Sequence, residues 1–341
     1  MEYGKMKKAL LFNTDDSGIV HCLLCAHRCR IYPDKSGFCE VRTNDNGTLY
    51  THAYGNIISS AVDPVEKKPL YHFHPGSKTF SIAIPGCNFR CGFCQNWEIS
   101  QINKFNQSQR KERFVQPEEI IESAKKTHCK SISFTYTEPV IFMEYALETA
   151  RLAKGAGLYT VFVSNGYMTA EALELIAPYI DACNIDLKAF TETFYKNNCK
   201  AHLQPVLDSI ERINGNGIHI EVTTLIIPGE NDSQQELNDI ARFLSSVNPD
   251  IPWHVSRFFP RYEFSDHTVT PVETVQEAVD IGLDKGLHYV YGGNLPGTDS
   301  STRCCKCQYM IVERSGYTSG QPQTKNGKCP SCGNPIYGMW Q

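Results

Sequence analysis

Fifteen cysteines occur in this chain of 341 residues, and they are grouped. Four lie between Cys22 and Cys39, three between Cys87 and Cys94, and five between Cys304 and Cys332; Cys129, Cys183 and Cys199 stand apart. A secreted disulfide scaffold is usually short, with cysteines spread throughout. Close groups at knuckle spacing read instead as metal ligands kept reduced in a cytosol. Met1 to Leu11 carries lysines but no apolar signal core and no small-residue cleavage site. No apolar run approaches the ~18–20 residues of a membrane span. The expectation is a cytoplasmic protein without membrane attachment.

Charged residues make up 21% and hydrophobic residues 41%, which excludes a disordered or collagen-like chain. A net charge of −4 gives no footprint for nucleic acid. The most basic stretch, Lys104 to Arg113, reads as a solvated loop.

Between the outer cysteine groups, short apolar runs alternate with helical spacing. Strands are expected at Thr79–Ile84, Ser131–Tyr136, Tyr159–Val163, Ala182–Leu187, Ile218–Ile227, Trp253–Phe258 and His288–Tyr291. Helices are expected at Pro117–Thr127, Val140–Lys154, Thr169–Ala177, around Pro205–Ile213, at Ser233–Val247 and at Val272–Lys285. Such alternation builds parallel β/α units with right-handed crossovers. The fold expected is α/β, a full or partial TIM-like barrel, with cysteine-rich metal-binding extensions at both ends. A doubly wound sheet fits the same rhythm, but no G-x-G-x-x-G follows a strand. Three parts are expected: a four-cysteine module over 1–76, the barrel over 77–300 and a ribbon over 301–341. The first shows further short runs at Thr48–Tyr54 and Ile57–Ala61, too thin to bury a core of their own. Cys87, Glu138, Asn165, Asp186 and Lys188 all fall at C-terminal strand ends, where parallel β/α folds place ligands.

Cys87-Asn-Phe-Arg-Cys91-Gly-Phe-Cys94 is the most informative segment. Three thiolates in one loop suit an iron–sulfur cluster or zinc. A missing local fourth suggests an open coordination position; the bland reading is a structural zinc site with one remote ligand.

This C-x3-C-x2-C spacing after a first strand resembles the radical SAM superfamily. The resemblance implies a [4Fe–4S] cluster on Cys87, Cys91 and Cys94, with S-adenosylmethionine (SAM) on the fourth iron and Phe93 near its adenine. Glu138-Pro139 matches the end of the family's Gly-Gly-Glu-Pro, whose acid binds the SAM amino group, although both glycines are replaced. An acid at a helix N-terminus is the other reading of Glu138. Ser164 and Asn165 can reach ribose hydroxyls or simply form an Asn-Gly turn. Lys188 can meet the SAM carboxylate with Asp186 orienting it, or the two form a surface ion pair. His254 is a SAM or substrate contact or a satisfied core histidine. Cys199 is a hydrogen-atom donor that quenches a substrate radical, or a packed thiol. Cys129 and Cys183 read as core.

Asp186-Leu-Lys188, Ile227-Pro-Gly-Glu-Asn-Asp232 and Pro252-Trp-His254 resemble the glycyl-radical-enzyme activases, including the pyruvate formate-lyase activating enzymes. Cys22-Leu-Leu-Cys25-Ala-His-Arg-Cys29, Phe134-Thr-Tyr-Thr-Glu-Pro139, Trp253-His-Val-Ser-Arg-Phe258 and the tail are more similar to the AmmeMemoRadiSam radical SAM proteins. That family name implies AMMECR-like and Memo-like partners.

Cys304, Cys307, Cys329 and Cys332 form two C-x2-C knuckles that read as a zinc ribbon, or else an auxiliary iron–sulfur site. Cys305 adjoins the first knuckle and is left out. Cys22, Cys25, Cys29 and Cys39 suit zinc and an auxiliary [4Fe–4S] cluster about equally, with His27 a substitute ligand. The expected function is reductive cleavage of SAM to a 5′-deoxyadenosyl radical that takes hydrogen from a protein glycine or a small organic substrate. The electron would come from a ferredoxin or flavodoxin. The rival is a multi-zinc interaction protein; a metal-dependent hydrolase fits poorly, because the strand-end ligands are cysteines.

Overall fold

The structure, a computed structural model, describes residues 6–101, 113–295, 297 and 299–340. Residues 104–112 of the basic stretch lie outside them. Eight strands form the main sheet: β1 (Ser59–Pro64), β2 (Lys78–Ala83), β3 (Ser131–Phe134), β4 (Tyr159–Ser164), β5 (Ala182–Asp186), β6 (His219–Ile226), β7 (Trp253–Arg257) and β8 (Val290–Gly293). They lie side by side in chain order. From β2 onward every pairing is parallel, and β1 pairs antiparallel to β2. Among the described residues no pairing joins β8 to β1, so the barrel is partial.

One helix of seven or more residues follows each parallel strand up to β7: α1 (Pro117–Lys126), α2 (Met143–Gly155), α3 (Ala170–Ile176), α4 (Gln204–Gly215), α5 (Gln234–Val247) and α6 (Val272–Asp284). Their starts follow from capping. Glu119 reaches back to the Gln116 amide before α1. Thr169 accepts from Ala172 N–H at α3, and Ser233 from Glu236 N–H at α5.

Three expected elements come out differently. The helix expected from Val140 begins as a 3-10 turn, Pro139–Phe142, and becomes α-helical only at Met143. Its Pro139 has no N–H to give and suits a first turn. The last strand is Val290–Gly293 rather than His288–Tyr291. The run expected at Ile57–Ala61 divides into Asn56–Ile57 and β1, which joins the main sheet.

Ahead of β1, two small three-stranded antiparallel sheets hold the first cysteine group. Their Val20, Leu24, Ile31 and Leu49 share one apolar core with Ile141 and Phe142 at the start of α2. One buried ion pair spans this junction. Arg42 Nη2 meets both Glu144 oxygens at 2.6 and 2.7 Å, and Leu10 N–H adds a third bond at 2.6 Å. Behind β8, the tail forms a small core of Ile311, Val312, Ile336 and Trp340 with Cys304 and Cys329. It docks through Tyr337, whose carbonyl bonds His72 Nδ1 at 2.6 Å. Among the described residues no helix is long and apolar enough to cross a membrane.

Removing one partner of a buried pair strands the other charge. Arg42→Ala should therefore destabilise the protein by about 3–5 kcal/mol, read as a lower urea midpoint. A loss below about 1 kcal/mol would show that the pair does not fasten this junction.

Candidate functional site

β2 runs into the loop that carries Cys87, Cys91 and Cys94. The turn is made at Gly86, whose φ of 104° is open only to glycine. A side chain at Gly92 would meet the Phe264 ring at 2.8 Å, so glycine lets that ring close on the loop. The loop is pinned from below by a π-helical turn, Tyr195–Cys199. Arg90 N–H bonds the Cys199 carbonyl at 2.9 Å, and Gly92 N–H the Asn198 carbonyl at 3.1 Å.

Two of the three sulfurs receive donors of their own. Phe89 N–H lies 3.3 Å and the Asn165 amide 3.9 Å from Cys87 Sγ, and Ser100 Oγ lies 3.2 Å from Cys94 Sγ. Burial holds Cys87 well above the usual thiol range and Cys94 at about 11. A cation bound there would displace those protons. Cys91 is held up first by a hydrogen bond with Cys199, then by burial. Cys199 is therefore a fully buried thiol against the cysteine loop, a position suited to a bond with a ligating thiolate.

Among the described residues, only Cys304, Cys307, Cys329 and Cys332 bring three or more ligand atoms within 4.8 Å of one another. The pairs Cys304–Cys332 and Cys307–Cys329 stand 3.6 Å apart, as ligands of one ion do. Cys87, Cys91 and Cys94 do not converge in this way. Three separated thiols on one loop, two of them with hydrogen-bond donors, fit a polynuclear cluster better than a single ion. Cys305 faces Asn334, outside the tail group of four.

Glu138 is buried where the ends of β3 and β4 meet. Its Oε1 accepts from Val140 N–H at 3.0 Å and Ser164 Oγ at 2.8 Å, and its Oε2 from Asn165 N–H at 2.9 Å. Both readings of this acid thus meet in one side chain: it caps the turn after β3, and one lone pair of Oε2 is left for a ligand. Asn165 in turn bonds Asn88 Oδ1 at 2.8 Å, and Asn88 Nδ2 is buried without a partner beside Cys87. Lys188 Nζ bonds Asp186 at 3.0 Å and lies 5.8 Å from the centre of the Phe93 ring. The structure thus brings Phe93, Glu138, Ser164, Asn165, Asp186 and Lys188 around the cysteine loop.

His254 is buried, bonded to Glu221 at 2.6 Å and stacked on Tyr291. It also borders a cleft of about 730 Å³, together with Tyr71, Ser256, Phe259 and Arg314. The Phe259 carbonyl accepts from Gln95, next to Cys94, so one residue of the cleft wall is tied to the end of the cysteine loop.

Sequence reasoning missed two buried polar groups inside the sheet. Asp63 is bonded by Lys68 at 2.7 Å, by Ser81 at 2.7 Å and by Tyr136. Burial pulls the Lys68 ammonium down to about 8 despite Asp63. Glu221 accepts from Tyr71 and His72 N–H at 2.9 and 2.8 Å and bonds His219 and His254. A glutamate inside the apolar run Ile218–Ile227 was the available signal for the second.

Residues 81–244 match the model of the radical SAM superfamily. The chain is 40% identical, over 97% of its own length and 99% of the other's, to an uncharacterized protein of Methanocaldococcus jannaschii. It is 20% identical to the pyruvate formate-lyase-activating enzyme of Clostridium pasteurianum, over 51% of this chain and 71% of that one. The chain belongs to the radical SAM superfamily, and it is an enzyme. A radical SAM methyltransferase from Sphaerobacter thermophilus has the same fold, with a TM-score of 0.51, 15% identity and coverage of 64% of this chain and 67% of that one. Radical SAM enzymes use a [4Fe–4S] cluster, SAM and an external electron donor.

Burial raises the Glu138 carboxyl from 4.5 to about 7, with the bonds from Asn165, Val140 and Ser164 opposing the rise. Across that window the folded acid keeps a proton that the unfolded chain has lost. Stability should therefore fall as pH rises from about 5 to about 7, by about 3 kcal/mol from this group. Glu138→Gln removes the titration, so urea midpoints of the metal-free variant should lack that part of the slope. Parallel slopes in the two proteins would refute the raised pKa.

Proposed function

We propose that Cys87, Cys91 and Cys94 hold the [4Fe–4S] cluster and that the strand-end residues around them hold SAM. The observation that carries this reading is the convergence of β3, β4 and β5 on one loop: Glu138 bonds Asn165, Asn165 reaches Cys87, and Lys188 stands over Phe93. Held there by the three cysteines, a [4Fe–4S] cluster would supply the single electron for reductive cleavage of SAM, and SAM the radical that takes hydrogen from the substrate. Lys188 offers its ammonium to the methionyl carboxylate, with Asp186 aiming it. Glu138 and the Ser164–Asn165 turn present acceptors and donors to the amino group and the ribose. Phe93, backed by Phe194 and Phe264, gives the adenine an apolar face. Cys199, fully buried with its carbonyl bonded by Arg90 N–H, would pack against the cysteine loop as a structural thiol. The Phe264 ring packs against Gly92 on the cysteine loop.

Relatives named as putative glycyl-radical enzyme activating enzymes support a glycine of a partner protein as substrate. A one-electron donor such as a ferredoxin or flavodoxin would reduce the cluster. The cleft favours a second reading, a small organic substrate, since its volume is that of small-molecule sites. AMMECR-like and Memo-like partners belong to the first reading. The tail cysteines, at single-ion spacing, would hold zinc: four thiolates at ~2.3 Å from a tetrahedral zinc stand about 3.8 Å apart. The multi-zinc alternative predicts a colourless protein throughout.

Cys87→Ala, Cys91→Ala or Cys94→Ala should abolish 5′-deoxyadenosine formation by the anaerobically reconstituted, dithionite-reduced protein. Circular dichroism should stay native, because the sheet is untouched. Wild-type turnover in any one of them would refute the cluster assignment.

A hydrogen bond to a charged group contributes ~1.5–3 kcal/mol, so Lys188→Ala should weaken SAM binding roughly ten- to a hundredfold. Calorimetric titration of the cluster-loaded variant reads this directly. Unchanged affinity with a large fall in melting temperature would make the Asp186–Lys188 pair structural.

A further inference from the structure

The four N-terminal cysteines are laid out differently from the four in the tail. Cys22, Cys25 and Cys39 are buried, Cys29 is partly exposed, and all four line one small cavity walled by Leu24 and Ile31, with about 10 Å³ open to the centre of a water-sized sphere. Yet no three of their sulfurs meet the 4.8 Å spacing that the tail cysteines satisfy. Zinc draws four thiolates to about 3.8 Å from one another. Thiolates arranged around a hollow, each reaching a different metal atom, suit a polynuclear core instead. Phe38 N–H points at Cys29 Sγ from 3.4 Å, the kind of donor that lowers the electron density of a cluster-bound thiolate.

This cavity adjoins the loop of Cys87. His27, which also lines it, bonds the backbone carbonyl of Asn88 at 2.7 Å, one residue from Cys87. Its ring packs against Phe38 and Tyr167 at 4.3 and 4.9 Å, so it is engaged as a spacer. On a second path, the Arg90 guanidinium lies 4.6 Å from the centre of the Phe38 ring and bonds the Cys87 carbonyl at 2.7 Å. Two short connections, through His27 and through Phe38 and Arg90, thus join the two cysteine sites.

We propose that Cys22, Cys25, Cys29 and Cys39 bind a second iron–sulfur cluster, which passes electrons to the cluster on Cys87, Cys91 and Cys94. This role rests on the assignment of the central triplet made above. One electron leaves a low-potential flavodoxin or ferredoxin, which is oxidised, and reduces the N-terminal cluster. That cluster is reoxidised as the central one is reduced. No bond is made or broken, and no proton moves. Cys29 is the least buried of the four and marks the side from which the donor approaches.

Metal analysis of the full chain tests the site without relying on turnover. The Cys87→Ala/Cys91→Ala/Cys94→Ala protein, reconstituted anaerobically, should keep about four irons and about four sulfides per chain and give an electron paramagnetic resonance signal on reduction. Zinc in place of that iron, or no metal beyond the tail ion, overturns the N-terminal cluster and leaves the central assignment standing. Iron equal to wild type in the triple variant overturns the central assignment instead. As a check that survives misfolding of that variant, Cys25→Ser/Cys29→Ser should lose about half of the wild-type iron while keeping its zinc. An unchanged iron content there also overturns the proposal. The relay is read as a ratio: 5′-deoxyadenosine formed with reduced flavodoxin, divided by that formed with dithionite. In Cys25→Ser/Cys29→Ser this ratio should fall at least about tenfold, because the small reductant reaches the central cluster directly. An unchanged ratio refutes the relay.

Discussion

Six successive parallel pairings, from β2 through β8, give the strands one direction and therefore one common C-terminal edge. Everything chemical in the centre of the chain depends on that edge. The cysteine loop leaves β2 there, Glu138 follows β3, Ser164 and Asn165 end β4, and Asp186 ends β5. A parallel ladder requires a crossover between strands, and the six helices supply it while covering the outer face. Residues more than a hundred positions apart in the chain thus come within hydrogen-bonding reach of one loop.

Inside the sheet the packing includes buried, paired charges. Asp63 with Lys68, and Glu221 with two histidines, are buried and fully engaged. Both link the segment between β1 and β2 to the sheet: Glu221 holds the Tyr71 and His72 amides, and Asn184 holds the Pro69 carbonyl at 2.7 Å. Such groups are costly unless paired, and paired they define a single position for the segment. The open side between β1 and β8 is bordered by the cleft and by the tail, so the partial barrel leaves a substrate-sized space where a closed one would be filled with side chains.

The two cysteine-rich ends use the same residue type for different geometries. In the tail, two C-x2-C knuckles face each other across short strands and bring their sulfurs to 3.6 Å. At the N-terminus, spacings of two, three and nine residues wrap the thiols around a cavity instead. The buried Arg42–Glu144 pair holds that end against α2 and so keeps it beside the Cys87 loop.

By itself the sequence determined the alternation of strands and helices, the cysteine groupings and the strand-end positions of the candidate residues. Those are local properties: apolar periodicity, Pro and Gly punctuation, and ligand spacing within a loop. Helix α2 was legible to within a turn, and its 3-10 start was not, because the proline that begins it is compatible with either. Whether the barrel closes, that His254 bonds Glu221 at the edge of a cleft, and that Arg90 of the cysteine loop bonds the Cys199 carbonyl were decided only by tertiary structure. Each depends on contacts between segments far apart in the chain, which no local pattern encodes. The N-terminal cysteines show the same limit: their spacing suits more than one metal, and the spread of their sulfurs, unlike the close tail group, appears only in the folded chain.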